Sequence, residues 1–170
     1  MRISIADKNS DADALARLFS DNLTSSYISH SELQGRRAIR PGEWANDIEA
    51  VLRREIAERL REPLEGFPPD AGWRGVIEAR EANGLVGIAF VTLSRGANVP
   101  FGVVEDVVVA KNLRDKGRGE AIMRWIIASF ARSGVTRVFL ESGIDNDRAH
   151  RLFERLGFKT VSIVMMRDAP

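Results

Sequence analysis

The sequence predicts a mixed α/β fold in which helices pack on a sheet, and two observations carry that reading. Hydrophobic residues recur at a period of about 3.6 before Trp73 and of about 2 just after it. Beyond Pro100 the pattern alternates twice between strand and helix, and a glycine closes each helix, first Gly134 and then Gly157. The chain has 170 residues, 44% of them hydrophobic. That length suits one domain spanning residues 1–170 around a single core, with roughly 70% of its unfolded surface buried and no need of a disulfide or structural metal.

Each element follows from its local pattern. Arg2 to Ala6 alternates polar and apolar residues as a short strand does, and Asn9 or Ser10 is placed to cap a helix carrying Leu15, Leu18 and Phe19. Residues 24 to 42 are polar, with Arg36, Arg37 and Arg40 ahead of Pro41-Gly42. From Glu43 to Leu60, Trp44, Ile48, Val51, Leu52, Ile56 and Leu60 recur at helical spacing and predict an amphipathic helix. Pro63, Gly66, Pro68 and Pro69 then make a loop ending near Trp73. Trp73 to Ala79 and Val86 to Ser94 read as hairpin strands about an Asn83-Gly84 turn. Pro100 to Val109 is a third strand whose Val107-Val108-Val109 end is apolar on both faces, as in a buried central strand. There follow a helix from Gly117 to Arg132, a strand from Thr136 to Ser142, a helix from Asn146 to Leu156 and a last strand from Phe158 to Met166.

Composition narrows the function. Twenty-five basic residues face 24 acidic ones, so no global field attracts a nucleic acid. The absence of cysteine excludes thiol chemistry and Cys-ligated zinc, and His30 and His150 fall in no metal-ligand spacing, so no metal site is expected. The segment Met1 to Asp7 is too polar for a signal peptide and no run approaches about 18 apolar residues, which predicts a cytoplasmic protein without a membrane partner.

The chemistry concentrates in Val109-Ala-Lys111-Asn-Leu-Arg114-Asp115-Lys116-Gly117-Arg118-Gly119-Glu120. A buried strand runs into a loop with two glycines and interleaved cations that opens directly onto a helix. Exposed amides at the helix start, glycine that brings the backbone close and the positive end of the helix dipole together suit a compact di-anion such as a pyrophosphate. Arg114, Lys116 and Arg118 add mobile charge. The dinucleotide fingerprint lacks its third glycine here, and GxxxxGK[ST] is absent, which disfavours an NTPase.

Arg114-x-x-Gly117-x-Gly119 after a valine strand resembles the acyl-CoA pattern [QR]xxGx[GA] of the GNAT family of N-acetyltransferases. Downstream, Asn146-Asp-Arg-Ala149-His-Arg-Leu152-Phe153-Glu-Arg-Leu156-Gly157-Phe158 is similar to the second motif of that family, NxxAxxLYxxxGF, and the two lie in the family's order. The resemblance covers about Val104 to Phe158. It implies the GNAT fold, with a mixed, mostly antiparallel central sheet flanked by helices, and residues 24–72 as an acceptor-side helical insertion between the first helix and second strand. It also implies acetyl-CoA as cosubstrate.

By that resemblance, backbone amides of Arg114, Asp115, Lys116, Gly117, Arg118, Gly119 and Glu120 hold the pyrophosphate. Val107, Val108 and Val109 line the pantetheine arm, and the amide of Val109 or its neighbour polarises the thioester carbonyl. Asn146 reaches the pantetheine or the leaving sulfur, or else only caps its helix. Acetyl transfer needs a neutral amine, and at pH 7 freeing a lysine-like amine costs about 4 to 5 kcal/mol. Glu105, at the start of the central strand, is the base candidate, with Asp106 expected on the opposite face of the strand. The family's thiolate-protonating tyrosine is replaced by Phe153, which keeps a role as a wall of the cofactor channel. Ser142, His150, water or Tyr27, the only tyrosine, could supply the proton instead.

The expectation is an N-acetyltransferase that moves an acetyl group from acetyl-CoA directly to a primary amine, since no cysteine is present to carry an acyl group. The alternative is a catalytically weak acyl-CoA sensor of the same fold, motivated by Phe153. A homodimer is the default assembly.

Overall fold

The computed structural model describes residues 1–61 and 72–168. The loop expected over Pro63 to Pro69 lies outside them. In chain order the elements are β1 (Arg2–Ile5), α1 (Ala12–Asp21), a 3-10 turn (Ser25–Tyr27), α2 (His30–Gln34), β2 (Ala38–Arg40), β3 (Glu43–Trp44) and α3 (Ile48–Arg59). Then come β4 (Gly72–Glu81), β5 (Gly84–Ser94), β6 (Phe101–Val109), a second 3-10 turn (Lys111–Leu113), α4 (Arg118–Arg132), β7 (Arg137–Leu140) and α5 (Asp147–Arg155). No helix among the described residues is long and apolar enough to cross a membrane.

The chain forms two compact units. The first comprises Met1–Leu23 and Glu49–Glu141 and holds a five-stranded sheet in the order β1-β4-β5-β6-β7. Pairing is antiparallel up to β6, and β6 pairs parallel with β7. The sheet is thus mixed and mostly antiparallel, as the family resemblance implied. Val86 to Val91 of β5 are all buried, so helices cover both faces of this strand. Phe90 meets Phe19 of α1 edge-on at 5.3 Å between ring centroids, whereas a Cβ at Gly87 would run into Ile122 of α4 at 2.7 Å. Positions 87 and 90 point to opposite faces of a strand. Hence α1 lies on one face and α4 on the other.

Local chemistry explains the boundaries. Asp11, and neither Asn9 nor Ser10, caps α1, its Oδ1 accepting from the Ala14 amide at 3.0 Å. Of the two expected caps, Ser10 is spent in the preceding turn, its Oγ accepting from the Asp7 amide, and the Asn9 amide donates to Asp7 Oδ1 there. At its other end α4 stops at Gly134, φ +79°, with the Gly134 and Val135 amides returning to the carbonyls of Ala131 and Phe130. That pair of hydrogen bonds closes the last turn, and Phe130 and Val135 are both buried.

The second unit comprises Thr24–Ile48 and the chain from Ser142 onward. Its first surprise is that Glu43 and Trp44 are not helical. Pro41-Gly42, with Gly42 at φ +82°, turns the chain so that Ala38 pairs with Trp44 and Arg40 with Glu43. The helix therefore begins at Ile48, and Trp44 Nε1 donates to the Thr24 carbonyl at 3.1 Å. Ser29-x-x-Glu32 forms a capping box for α2, where the sequence showed only a polar segment. Residues 158–168 form no strand. Val161, Ile163, Val164, Met165 and Met166 are exposed, and a strand cannot form without a neighbour for its backbone groups.

Candidate active site

The site in the first unit is built on β6. The ladder between β6 and β7 ends at the pair Val104 and Leu140, while β6 continues from Glu105 to Val109 alongside β5. On the β5 side the register slips once: Val91 faces Val104 and Phe90 faces Asp106, which leaves Glu105 as the extra residue of a β-bulge.

The bulge overturns one expectation. Cross-strand partners share a face, so Asp106, opposite Phe90, lies on the face of Val103, opposite Thr92. Glu105 joins them, because Thr92 Oγ1 donates to its Oε1. The two carboxylates therefore share a face instead of alternating. They remain distinct: Asp106 is buried, at 3% exposure, and Glu105 keeps 30% of its side chain accessible. Val107, opposite Ala89, and Val109, opposite Gly87, turn to the α4 face, with Val108 between them on the other.

From Val109 the chain enters the predicted loop. Asp115 and Gly117 both take positive φ, +63° and +73°, and Gly117 stands at the N-cap of α4 with no side chain to cap it. The first i to i+4 bond of the helix runs from Ala121 to the Gly117 carbonyl, at 2.9 Å. The amides of Arg118, Gly119 and Glu120 thus fall in the first turn, where a helix offers donors without intrahelical acceptors. The Glu120 carboxylate is held one turn on by Arg124 at 2.8 Å.

The cations differ from expectation. Arg114 Nε donates to the Val109 carbonyl at 3.0 Å and its Nη2 to the Asn22 carbonyl at 2.6 Å, so this side chain ties the loop down. Asn22 also accepts from the Lys111 amide through Oδ1, at 2.6 Å, and donates back to Leu18, at 2.6 Å. Arg118 is committed to Glu81 at the end of β4 by a two-point contact of 2.9 and 2.8 Å. Of these three side chains Lys116 alone, exposed, has no hydrogen bond or ion pair among the described residues. The charge expected to be mobile therefore reduces to one lysine, and the arginines fix the shape of the loop. Asn22 was missed by the sequence reading, because a C-cap asparagine gives no sign that a segment 89 positions away closes on it.

Tyr27, Ser142, Asn146 and Phe153 belong to the second unit. Tyr27 ends the first 3-10 turn, its ring 6.1 Å from that of Trp44. A Cβ at Gly143 would meet the Ser26 carbonyl and, at 2.6 Å, that of Ile28, so the Ser142-Gly143 backbone abuts the Tyr27 segment. Ser142 Oγ is buried with no hydrogen-bond partner among the described residues. Asn146 occupies the N-cap position of α5, yet its side chain makes no capping bond. Phe153 packs edge-on against Phe158 at 6.1 Å across Gly157, φ +90°. The amides of Gly157 and Phe158 return to the carbonyls of Glu154 and Phe153, the paired hydrogen bonds of a glycine-stopped helix. His150 is half-buried on α5. Of the arginine cluster, Arg37 pairs with Glu32 at 3.5 Å and Arg40 with Glu43.

A family model described as the Acetyltransferase (GNAT) family matches residues 42–158. A search of curated proteins finds no match. Among solved structures, a tetramutant of the BH1408 protein from Bacillus halodurans is similar over 99% of this chain and 100% of its own, at 16% identity and a TM-score of 0.72. An aminoglycoside antibiotic 6′-N-acetyltransferase from Acinetobacter haemolyticus is similar over 100% of this chain and 99% of its own, at 16% identity and a TM-score of 0.66. A ribosomal-protein-alanine N-acetyltransferase from Brucella melitensis is similar over 99% and 100%, at 16% identity and a TM-score of 0.61. At such identities the likeness is one of fold.

Proposed function

The chain belongs to the acetyltransferase (GNAT) family, and on that premise we propose that it transfers an acetyl group from acetyl-CoA directly to a primary amine. The observation that carries the reading is β6 itself, which runs on past its ladder with β7, from the bulge at Glu105 to an uncapped helix start. Those residues fit the cosubstrate. The amides from Arg114 to Glu120, with Lys116 beside them, suit the pyrophosphate, and Val107 to Val109 suit the extended pantetheine arm. When bound, acetyl-CoA supplies an acyl group activated as a thioester.

The chain's own groups do the rest. Glu105 accepts the proton of the attacking amine, directly or through water, as the new N–C bond forms. The Val109 amide, or that of its neighbour, donates to the thioester oxygen where charge develops. The departing CoA thiolate, of ordinary pKa about 8 to 9 on the cysteine scale, leaves with a proton from water, Ser142, His150 or Tyr27. Asn146, whose side chain is not spent on capping, is assigned to the pantetheine or sulfur, and Phe153 to the channel wall. Residues 24–72 are assigned to the acceptor side. Direct transfer is favoured because the chain contains no cysteine.

The test is a thermal-shift and thiol-release assay. Acetyl-CoA raises Tm while ATP does not, and CoA thiol appears with a panel of primary amines and falls by about 10²-fold or more, to a low but measurable rate, on Glu105→Gln. Tight acetyl-CoA binding without turnover across the panel would favour the second reading, a sensor of the same fold, for which Phe153 in place of a tyrosine is the motive.

A further inference from the structure

The Glu105 carboxylate is gripped on both oxygens. Arg59 of α3 donates from Nη2 to Oε2, and Thr92 Oγ1 donates to Oε1. The Arg59 side chain is only 8% exposed. It ends the buried stripe of α3 after Leu52 and Ile56, at the i, i+4, i+7 spacing where a packed helix ordinarily carries an apolar residue. Its guanidinium carbon lies 4.7 Å from the centroid of the Phe90 ring, and Nη1 donates to the Val91 carbonyl at 3.4 Å.

A buried cation is a poor device for stability alone, since an apolar side chain of similar volume is often as good or better. What the arginine supplies is direction. Phe90 and Val91 are the two β5 residues at which the register slips, and their ring and carbonyl fix the plane of the guanidinium fork. One nitrogen is then left pointing at the bulge residue. Lysine has no such plane. A carboxylate offers about four lone-pair sites, and Arg59 and Thr92 take one on each oxygen, so acceptor sites remain for an amine.

We infer that Arg59 is a positioning residue for Glu105: it orients the carboxylate that takes the amine proton, so that α3 helps to build the reacting geometry. The inference rests on the reading of Glu105 as the base. Its test is a double-mutant cycle in the full chain, comparing Arg59→Gln, Glu105→Gln and the two combined. The readout is CoA thiol released from acetyl-CoA with spermidine, kanamycin and an alanine-initiated peptide as probes. A chain with no cysteine gives that thiol assay no protein background.

Arg59→Gln is expected to lower kcat about thirtyfold with the KM for acetyl-CoA held within about twofold, and to cost less than about threefold once Glu105 is Gln. Should Arg59→Gln fail to fold, Arg59→Lys keeps the charge and loses the fork, and its roughly tenfold cost must vanish in the same background. Losses that multiply in the double variant overturn the positioning role and leave the base reading standing. A Glu105→Gln variant as active as its parent overturns the base reading, and this inference with it.

Discussion

Arg118, the first residue of α4, holds Glu81 at the end of β4 through two hydrogen bonds, Nε to Oε1 at 2.9 Å and Nη2 to Oε2 at 2.8 Å. The hydrogen bond from Arg118 outweighs the opposing desolvation and, with the arginine's charge, keeps the Glu81 carboxyl below its ordinary value of 4.5. The folded state therefore binds this proton less readily than the unfolded chain. The stability it contributes is whole above pH 4.5 and is lost as the pH falls through the lower, folded value. Glu81→Gln is expected to flatten the acid limb of Tm against pH below about 4.5, measured by calorimetry from about pH 3 to 7. An acid limb as steep as the parent's would show that other carboxylates set it.

Of the three cations Arg114, Lys116 and Arg118, Lys116 is thus the one available to a ligand at the loop. Lys116→Ala is expected to weaken acetyl-CoA binding about tenfold, or ~1.4 kcal/mol, at low salt, with the deficit shrinking as salt screens an exposed charge. Titration calorimetry at two ionic strengths reads both. An unchanged Kd would return the phosphate contact to the backbone amides alone.

How much of this was legible follows from the range over which each signal acts. Gly134, Gly157 and Asn83-Gly84 announce their turns because a positive φ or a tight hairpin is a local demand that few residues meet. The loop at Gly117 was readable for the same reason. The bulge at Glu105 was not, since a slipped register is a property of two strands and leaves the alternation of β6 unmarked. Nor was the Arg59 to Glu105 pair, whose members are 46 positions apart. Trp44 misled because it fits a helical period, while Pro41-Gly42 beside it supplied a turn that competing periodicity hid.

Gly143 is required by space. Its Cβ position falls against two backbone carbonyls, those of Ser26 and Ile28, neither of which can swing aside as a side chain tip would. Gly143→Ala is expected to cost about 1–3 kcal/mol, an overpacking penalty. For a chain of this size that lowers Tm by roughly 2–4 °C per kcal/mol, read by thermal melting. The Tyr27 fluorescence environment should change with it, because the abutting segment carries that ring. A Tm within about a degree of the parent would mean that the two segments part at little cost.

Phe153 offers the sharpest test of how the thiolate leaves. Its ring already packs edge-on against Phe158 across a glycine-stopped helix end, so the position is structurally satisfied without a hydroxyl. Phe153→Tyr adds one oxygen to a half-buried ring and leaves that packing in place, so folding should be nearly neutral. Under direct transfer a phenol near the sulfur supplies the proton that water otherwise brings. General acid help of this kind is worth up to about 10²–10⁴-fold, and less where the leaving group is already tolerable. The expected outcome is a rise in kcat of about threefold to tenfold with the KM for acetyl-CoA unchanged. An unchanged kcat with intact Tm would place the ring away from the sulfur. Protonation of the thiolate would then rest with water, Ser142, His150 or Tyr27, to be separated by Ser142→Ala, His150→Ala and Tyr27→Phe.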